Sequence, residues 1–339
     1  MISPSMRAAR FVGGRRIELQ ELPVPEPGAG EVLVKVDSCA LCGTDRRSYE
    51  TGTAVVPGHE VSGTIAALGQ GATHALDARG VVYLVGYCGS CYACRSGATN
   101  ICLDKQKMYG FDTDGGYAEY VKVRAECFLP VSPDVPLDLA TSLLDLYGTS
   151  GHAFRRAGLR HGDTVAVMGC GPIGLGAISM AGALGAGEVC ATDLAPDRLA
   201  LADSLGATAL DAAGGDAVAA ALALHPDGFD VVIEAAGTTA TQAGAVALTA
   251  PGGTTAFVAH NQQPLLVDTL SELIQRAKTL LGSEYFAVSE FGVNHALLVS
   301  GRLDPAPLIT HRFPLESIQE AFDLFMAGRG GKVLVQPAG

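Results

Sequence analysis

The stretch TVAVMGCGPIG, residues 164–174, runs from a β-branched strand straight into a glycine-rich turn. Gly169, Gly171 and Gly174 form the pattern G-x-G-x-x-G. The first glycine permits the tight turn, the second lets a pyrophosphate approach the backbone, and the third lets the next helix pack on its strand. Pro172 and Ile173 open that helix, whose free N–H groups point outward at the phosphates. Alone, such a turn is a weak signal. Here a second strand follows, Glu188–Thr192, and it ends in Asp193. An acid about 20 residues past the turn is where the adenosine ribose hydroxyls are met. Asp193 also reads as an N-cap for a helix beginning at Pro196, and the two roles are compatible. A carboxylate here repels a 2′-phosphate, so NAD is expected rather than NADP. Arg198 and Val258 are placed with the cofactor as well.

Working outward, the same texture continues. Strand candidates Thr164–Met168, Glu188–Thr192, Val231–Glu234, Thr254–Val258 and Thr279–Gly282 alternate with helix candidates Ile173–Leu184, Pro196–Leu205, Ala217–Leu224 and Thr239–Leu248. That alternation is what a parallel, doubly wound α/β sheet requires. Residues 164–191 are apolar enough to suggest a membrane span. Their many glycines and the change from β-branched to helix-forming residues favour a strand, a turn and a buried helix instead.

Upstream, residues 7–130 read as strands and turns: Arg16–Leu19, Glu31–Ser38, Glu60–Leu68, Gly80–Val85 and Tyr117–Val123, with a Pro- and Gly-rich connection over Pro23–Gly30. The tail, Glu290–Pro337, holds two more helices and two strands and is expected to return to the first domain.

Inside the first half, Cys88, Cys91, Cys94 and Cys102 follow the spacing C-x2-C-x2-C-x7-C. Four thiolates so close in sequence can wrap one tetrahedral Zn²⁺, with Gly89 and Gly97 in the turns between them. Two disulfides are the bland alternative. Such a closed site has no open coordination position, so it is structural and the chemistry lies elsewhere.

Composition narrows the class. A chain of 339 residues suffices for two domains. A net charge of −12 and a pI near 5.1 disfavour nucleic acid and anionic membranes as partners. Nine cysteines, mostly in metal-type motifs, fit a reducing cytoplasm rather than a secreted disulfide scaffold. Met1–Arg10 shows no apolar core of an export signal. A mean hydropathy of +0.28 reflects the Ala and Val of buried α/β layers.

Three further places carry ligand-type residues: Cys42 in Cys42-Gly43-Thr44-Asp45, His59-Glu60 in Gly58-His59-Glu60-Val61-Ser62-Gly63, and Asp145 in Leu143-Leu144-Asp145-Leu146-Tyr147-Gly148. Any one alone is uninformative, since a lone Cys is usually core, a lone His structural, and Asp145 a helix cap. Taken with the cysteine lobe and the glycine turn, the whole chain resembles the zinc-dependent medium-chain dehydrogenase/reductase family, the alcohol and polyol dehydrogenases. The resemblance rests on Gly58, His59, Glu60, Gly63 and Gly69, the four cysteines, the glycine turn, and the closing Phe313-Pro314-Leu315 and Lys332-Val333.

The resemblance implies a GroES-like β-rich catalytic domain, residues 1–150 and 289–339 with the zinc lobe at 86–104, joined to a Rossmann domain, residues 151–288, with the active site in the cleft. It implies a catalytic zinc held by Cys42, His59 and Asp145, Glu60 beside them as neighbour or alternating ligand, and Thr44 as the hydroxyl that passes the substrate's proton outward. Zinc acting as a Lewis acid lowers the pKa of an alcohol it binds, and hydride then passes to nicotinamide. Two zinc ions and NAD are the expected cofactors, a small alcohol or ketone the substrate, and a homo-oligomer the assembly. Two positions depart from ethanol-type members. Asp145 stands where those carry Cys, which tilts the chain towards secondary alcohols, polyols or cyclitols. Arg47 stands where many carry a relay histidine, and a guanidinium cannot act as a base. The competing readings are a zinc-free enone or quinone reductase of the same superfamily, and a nucleotide-binding sensor without turnover. Residues Ser48, Tyr49, Tyr109, Phe111, Glu119 and Glu284 are pocket candidates by position, with Glu284 reading as a solvated loop charge.

Overall fold

The computed structural model describes residues 2–337 and divides the chain into two compact units. The first comprises Met1–Leu144, Ala287–His295 and Ile309–Gly339; the second comprises Asp145–Phe286 and Ala296–Leu308.

In the first unit, β1 (Ser5–Gly13) and β2 (Arg16–Pro23) form an antiparallel hairpin. The main sheet is built on β3 (Glu31–Ala40) and β4 (Glu60–Leu68), which pair antiparallel over most of their length. β5 (Arg79–Val82) lies beyond β4. A small antiparallel pair, β6 (Val85–Gly86) with β7 (Lys107–Met108), brackets the cysteine lobe. β8 (Tyr120–Arg124) pairs with the first half of β3, and β9 (Phe128–Pro130) with β5. Because β3 is paired along both edges, its Val32, Val34 and Val36 are fully buried. Phe11, Tyr117 and Phe322 make an aromatic knot under the hairpin, with Phe11 stacked on Tyr117 at 5.9 Å and edge-on to Phe322 at 4.8 Å.

The second unit is a six-stranded parallel sheet of β10 (Thr164–Met168), β11 (Glu188–Asp193), β12 (Thr208–Asp211), β13 (Phe229–Glu234), β14 (Thr249–Phe257) and β15 (Thr279–Gly282). The order β12-β11-β10-β13-β14-β15 reverses direction at β10, the switch point where doubly wound sheets bind ligands. Helices Pro172–Leu184, Pro196–Ser204, Ala217–Leu224 and Thr239–Leu248 connect the strands. The core is aliphatic: Val165, Val167, Leu175, Ile178, Val231 and Ile233 are buried together. The apolar run at 164–191 is thus a five-residue strand and a thirteen-residue helix. No helix among the described residues is long and apolar enough to cross a membrane.

The tail supplies β16 (Ile309–Pro314) and β17 (Lys332–Gln336); β17 joins the first unit's sheet antiparallel to β3 at Leu334 and Ala40. Two boundaries differ from the expectation. The first unit ends at Leu144 rather than 150, because Leu146 packs against the helix Pro172–Leu184, where the Leu146 carbonyl stands 2.3 Å from where a Cβ on Gly176 would sit. Residues 296–308 stay with the second unit because Leu303 and Leu308 are buried in its core. Several elements also shift. Gly80–Val85 breaks into β5 and β6, β14 starts early at Thr249, and β12, a short half-exposed edge strand, has too little pattern to be read from sequence.

Candidate active site

The residues that decide the site sit at the ends of strands. Gly58 turns the chain into β4 with φ +99°, a conformation that favours glycine. A Cβ there would also stand 2.8 Å from Cys39 Sγ and 2.9 Å from the Tyr117 ring. This turn delivers His59 and Glu60, which are 2 % and 0 % exposed. Cys42 follows the end of β3 and is buried, and Asp145 opens a wide π-helical turn, Asp145–Thr149, of the kind often found at functional sites. One ligand atom from each of Cys42, His59, Glu60 and Asp145 lies within 4.8 Å of all the others. Such a thiol–imidazole–carboxylate set is the donor chemistry that holds catalytic zinc. Thr44 stands two residues from Cys42, and its buried hydroxyl has no hydrogen-bond partner.

Behind these groups is a supporting layer that sequence reading did not assign. Asp45 Oδ2 accepts from the Cys42 amide at 3.1 Å and from the Tyr117 hydroxyl at 2.7 Å. Its Oδ1 lies 3.5 Å from His59 Nδ1. One buried carboxylate thereby orients two candidate ligands, as partners behind a metal site do. The only sequence signal for Asp45 is its place three residues after Cys42. On the other side, the Lys332 ammonium from β17 pairs with Glu60, both side chains being buried.

The four cysteines of the lobe gather as their spacing suggests. Cys88 Sγ lies 4.0 Å from Cys94 Sγ, and Cys91 Sγ 3.9 Å from Cys102 Sγ. A disulfide needs about 2.05 Å. Sulfurs on a tetrahedron with arms of about 2.3 Å sit roughly 3.8 Å apart, so the zinc cage fits and the disulfide reading does not. Backbone amides of Ser90 and Cys91 point at Cys88 Sγ and lower that thiol to about 6. The amides of Cys94 and Leu103 lower Cys91 as well, whereas desolvation pushes Cys94 up to about 12.

In the second unit the glycine turn lies at the switch point. Gly169 has φ +96°, and a Cβ on it would meet Ala236 at 2.8 Å; one on Gly174 would stand 1.8 Å from the Gly169 carbonyl oxygen. Gly171, in contrast, faces open space, with the Arg198 guanidinium 4.0 Å from its Cβ position. Pro172 and Ile173 form the first helical turn. Asp193 Oδ2 accepts from the Cys170 amide at 2.7 Å and Oδ1 from the Ala195 amide at 2.8 Å. The helix N-cap is Ala195, so Asp193 braces the glycine turn rather than capping the helix. Val258 follows β14, its amide bonded to the Glu234 carbonyl at 3.0 Å.

The pocket candidates separate. Tyr49 donates to Asp323 at 2.6 Å, Tyr109 accepts the Arg124 amide at 2.8 Å, and Glu119 pairs with Arg7 at 2.8 Å, so these three hold the fold. Ser48 is half-buried and accepts the Gly52 amide on its carbonyl. Phe111, partly exposed, lies 4.8 Å from the ring of His59, a proposed ligand. Arg47 is exposed, which leaves it a surface charge in this structure.

Residues 28–133 match the alcohol dehydrogenase GroES-like domain, and residues 172–299 match the zinc-binding dehydrogenase domain. An L-threonine 3-dehydrogenase of Bacillus velezensis is 34% identical over 332 residues, covering 94% of this chain and 95% of its own. A sorbitol dehydrogenase of Bacillus subtilis is 32% identical over 352 residues, covering 99% and 98%. A solved structure from Escherichia coli CFT073, described as a short chain alcohol dehydrogenase complexed with NADH, superposes with a TM-score of 0.92 at 27% identity, over 98% of this chain and 100% of that one. Two matched domains, these relatives and the gathered ligand residues lead to one conclusion: the chain belongs to the zinc-type medium-chain alcohol dehydrogenase family.

Proposed function

We propose that this chain is an NAD-dependent, zinc-dependent dehydrogenase acting on the CH–OH group of a secondary alcohol, polyol or cyclitol. The observation that carries the reading is the convergence of Cys42, His59, Glu60 and Asp145 beside the partnerless hydroxyl of Thr44. When bound there, zinc supplies Lewis acidity that makes an alcohol proton easier to remove. Asp45 steadies the His59 ring and the Cys42 backbone, and Lys332 balances Glu60. The Thr44 hydroxyl accepts the substrate's proton and donates its own onward. Arg47 cannot take that proton, so in this reading release runs from Thr44 directly to solvent. Gly169, Gly171, Pro172, Ile173 and Gly174 would cradle the pyrophosphate, Asp193 and Arg198 would hold the adenosine ribose, and Val258 would border the nicotinamide, whose chemistry is to accept a hydride.

A second, structural zinc in the cysteine lobe completes the cofactor set. The uncrosslinked cysteine lobe supports a reducing cytoplasmic setting. Leu266, Leu270 and Ile274, exposed by 91 %, 57 % and 72 %, together with the free edge of β15 support a homo-oligomer. A zinc-free reductase or a sensor would gather four buried ligand groups to no purpose. The test is NADH formation with secondary alcohols, polyols and aminocyclitols, before and after zinc removal and replacement. Zinc-restored oxidation of a CH–OH substrate supports the reading; turnover that survives removal of both ions, or none with any such alcohol, overturns it.

A further inference from the structure

Glu234 closes β13 at the carboxyl edge of the parallel sheet, where register sets it beside Met168, the last residue of β10. Ligands of open α/β sheets bind outside this edge, at the switch point. A side chain of 0 % exposure that carries a carboxyl group needs a reason in such a place, since a polar group withdrawn from water is costly unless its oxygens are met.

Glu234 Oε1 accepts from the Ala236 amide at 3.0 Å, the Gly237 amide at 2.8 Å and the Thr241 hydroxyl at 2.8 Å. Its Oε2 is buried without a hydrogen-bond partner. Stranding one oxygen to hold three donors on the other is a poor bargain for stability alone, and it points to a use for the geometry it fixes. That geometry is the turn 235–237. On one side Ala236 packs on the glycine turn, where a Cβ on Gly169 would meet the Ala236 Cβ at 2.8 Å. On the other side Gly237 takes φ +74°, and a Cβ there would stand 2.8 Å from the His260 carbonyl oxygen. The Glu234 backbone holds the same neighbour, because its carbonyl accepts the Val258 amide at 3.0 Å and the Ala259 amide at 3.3 Å. The Asn261 side-chain amide donates to Gln242 at 3.0 Å, at the start of the helix Thr239–Leu248. The turn 235–237 is thus wedged between the glycine turn and residues 258–261. Farther out, His260 Nε2 lies 3.6 Å from Glu284 Oε2, an exposed pair of little consequence.

We infer that Glu234 is a positioning residue for the dinucleotide: its carboxyl group clamps the turn 235–237, and the turn holds residues 258–261 where Val258 meets the nicotinamide half. Fully buried, Glu234 acts through the turn rather than by touching the ligand. The inference rests on the proposed nucleotide site and adds a residue behind its nicotinamide half. The adenosine half belongs to the other side of β10, at β11, where Asp193 is held by the Cys170 and Ala195 amides instead. Loosening the clamp should therefore weaken the two halves unequally.

The test is calorimetric titration of the zinc-loaded chain with NADH and, separately, with AMP, which carries the adenosine half alone. Glu234→Ala should weaken NADH binding about 10–100-fold, the scale of losing hydrogen bonds to a charged group, and leave AMP binding within about threefold of wild type. Glu234→Gln keeps an acceptor oxygen and should lose clearly less NADH affinity than Glu234→Ala. Thr241→Val removes one donor and leaves the buried carboxyl group in place. It should show the same selective loss on a smaller scale, including where Glu234→Ala fails to fold. Equal losses for NADH and AMP would make Glu234 a general prop of the unit and overturn the inference. So would unchanged NADH binding in the Ala and Val variants, or a Gln variant as weak as the Ala one. Each of these results leaves the dehydrogenase reading intact. A wild type that binds neither nucleotide overturns the nucleotide site itself, and this inference falls with it.

Discussion

Replacing Lys332 with Met removes a buried cation that pairs with Glu60. Both side chains are essentially buried, 1 % and 0 % exposed. Removing one member of a buried ion pair costs about 3–5 kcal/mol, because the remaining charge loses that partner in a low-dielectric site. Methionine fills much of the lysine stem's volume, so little of the loss comes from a cavity. For a domain of about 150–250 residues each kcal/mol moves Tm by about 2–4 °C, which gives a drop of roughly 6–20 °C. The double variant Lys332→Met/Glu60→Gln exchanges the stranded charge for a buried amide worth about 1–3 kcal/mol, so it should recover a large part of the loss. Calorimetry should be run on zinc-loaded and zinc-depleted protein, since bound metal adds its own stabilisation and would otherwise mask the pair. A drop below about 2 °C in the depleted single variant would refute the reasoning, as would a double variant no more stable than the single one.

Two further outcomes follow from the geometry. The wild type should favour NAD over NADP, and Asp193→Gly should shrink the ratio of kcat/KM values about 10–100-fold, with Asp193→Asn between them; equal use of both nucleotides by the wild type would show Asp193 to be only a brace for Cys170. His295 Nε2 accepts the Ser132 amide at 3.0 Å, and burial lowers its pKa below the usual 6.5. The unfolded chain then gains this proton at higher pH than the folded one, so the stabilisation is complete above about 6.5 and is lost as pH falls beneath it. Tm should therefore fall more steeply on acidification in wild type than in His295→Gln, and parallel curves would contradict this.

What could be read from the sequence was whatever a short window contains. The strand–turn–helix at 164–174 and the cysteine lobe are local patterns, and each cluster of ligand residues is contiguous enough to be noticed. The groups that steady the site come from elsewhere in the chain. Lys332 reaches Glu60 only because β17, β3 and β4 share one sheet, and Tyr117, which donates to Asp45, leads into β8, paired with β3. Asp193 resembled a helix cap because capping residues and ribose-binding acids occupy the same kind of turn, and its hydrogen bond to Cys170 appears only once β10 and β11 pair in register. His260 gave no signal as an isolated loop residue and Glu284 read as a solvated loop charge, since their pairing depends on β14 and β15 ending side by side.

The central claim is that one chain holds two zinc ions in unlike sites, one structural and one catalytic. Elemental analysis of the purified protein should find two zinc ions per chain. Cys91→Ser should lose one of them together with much of the stability, because structural zinc binding is also folding energy. Cys42→Ser should lose the other and its activity while remaining folded. One zinc per chain in the wild type, or none, would contradict the account.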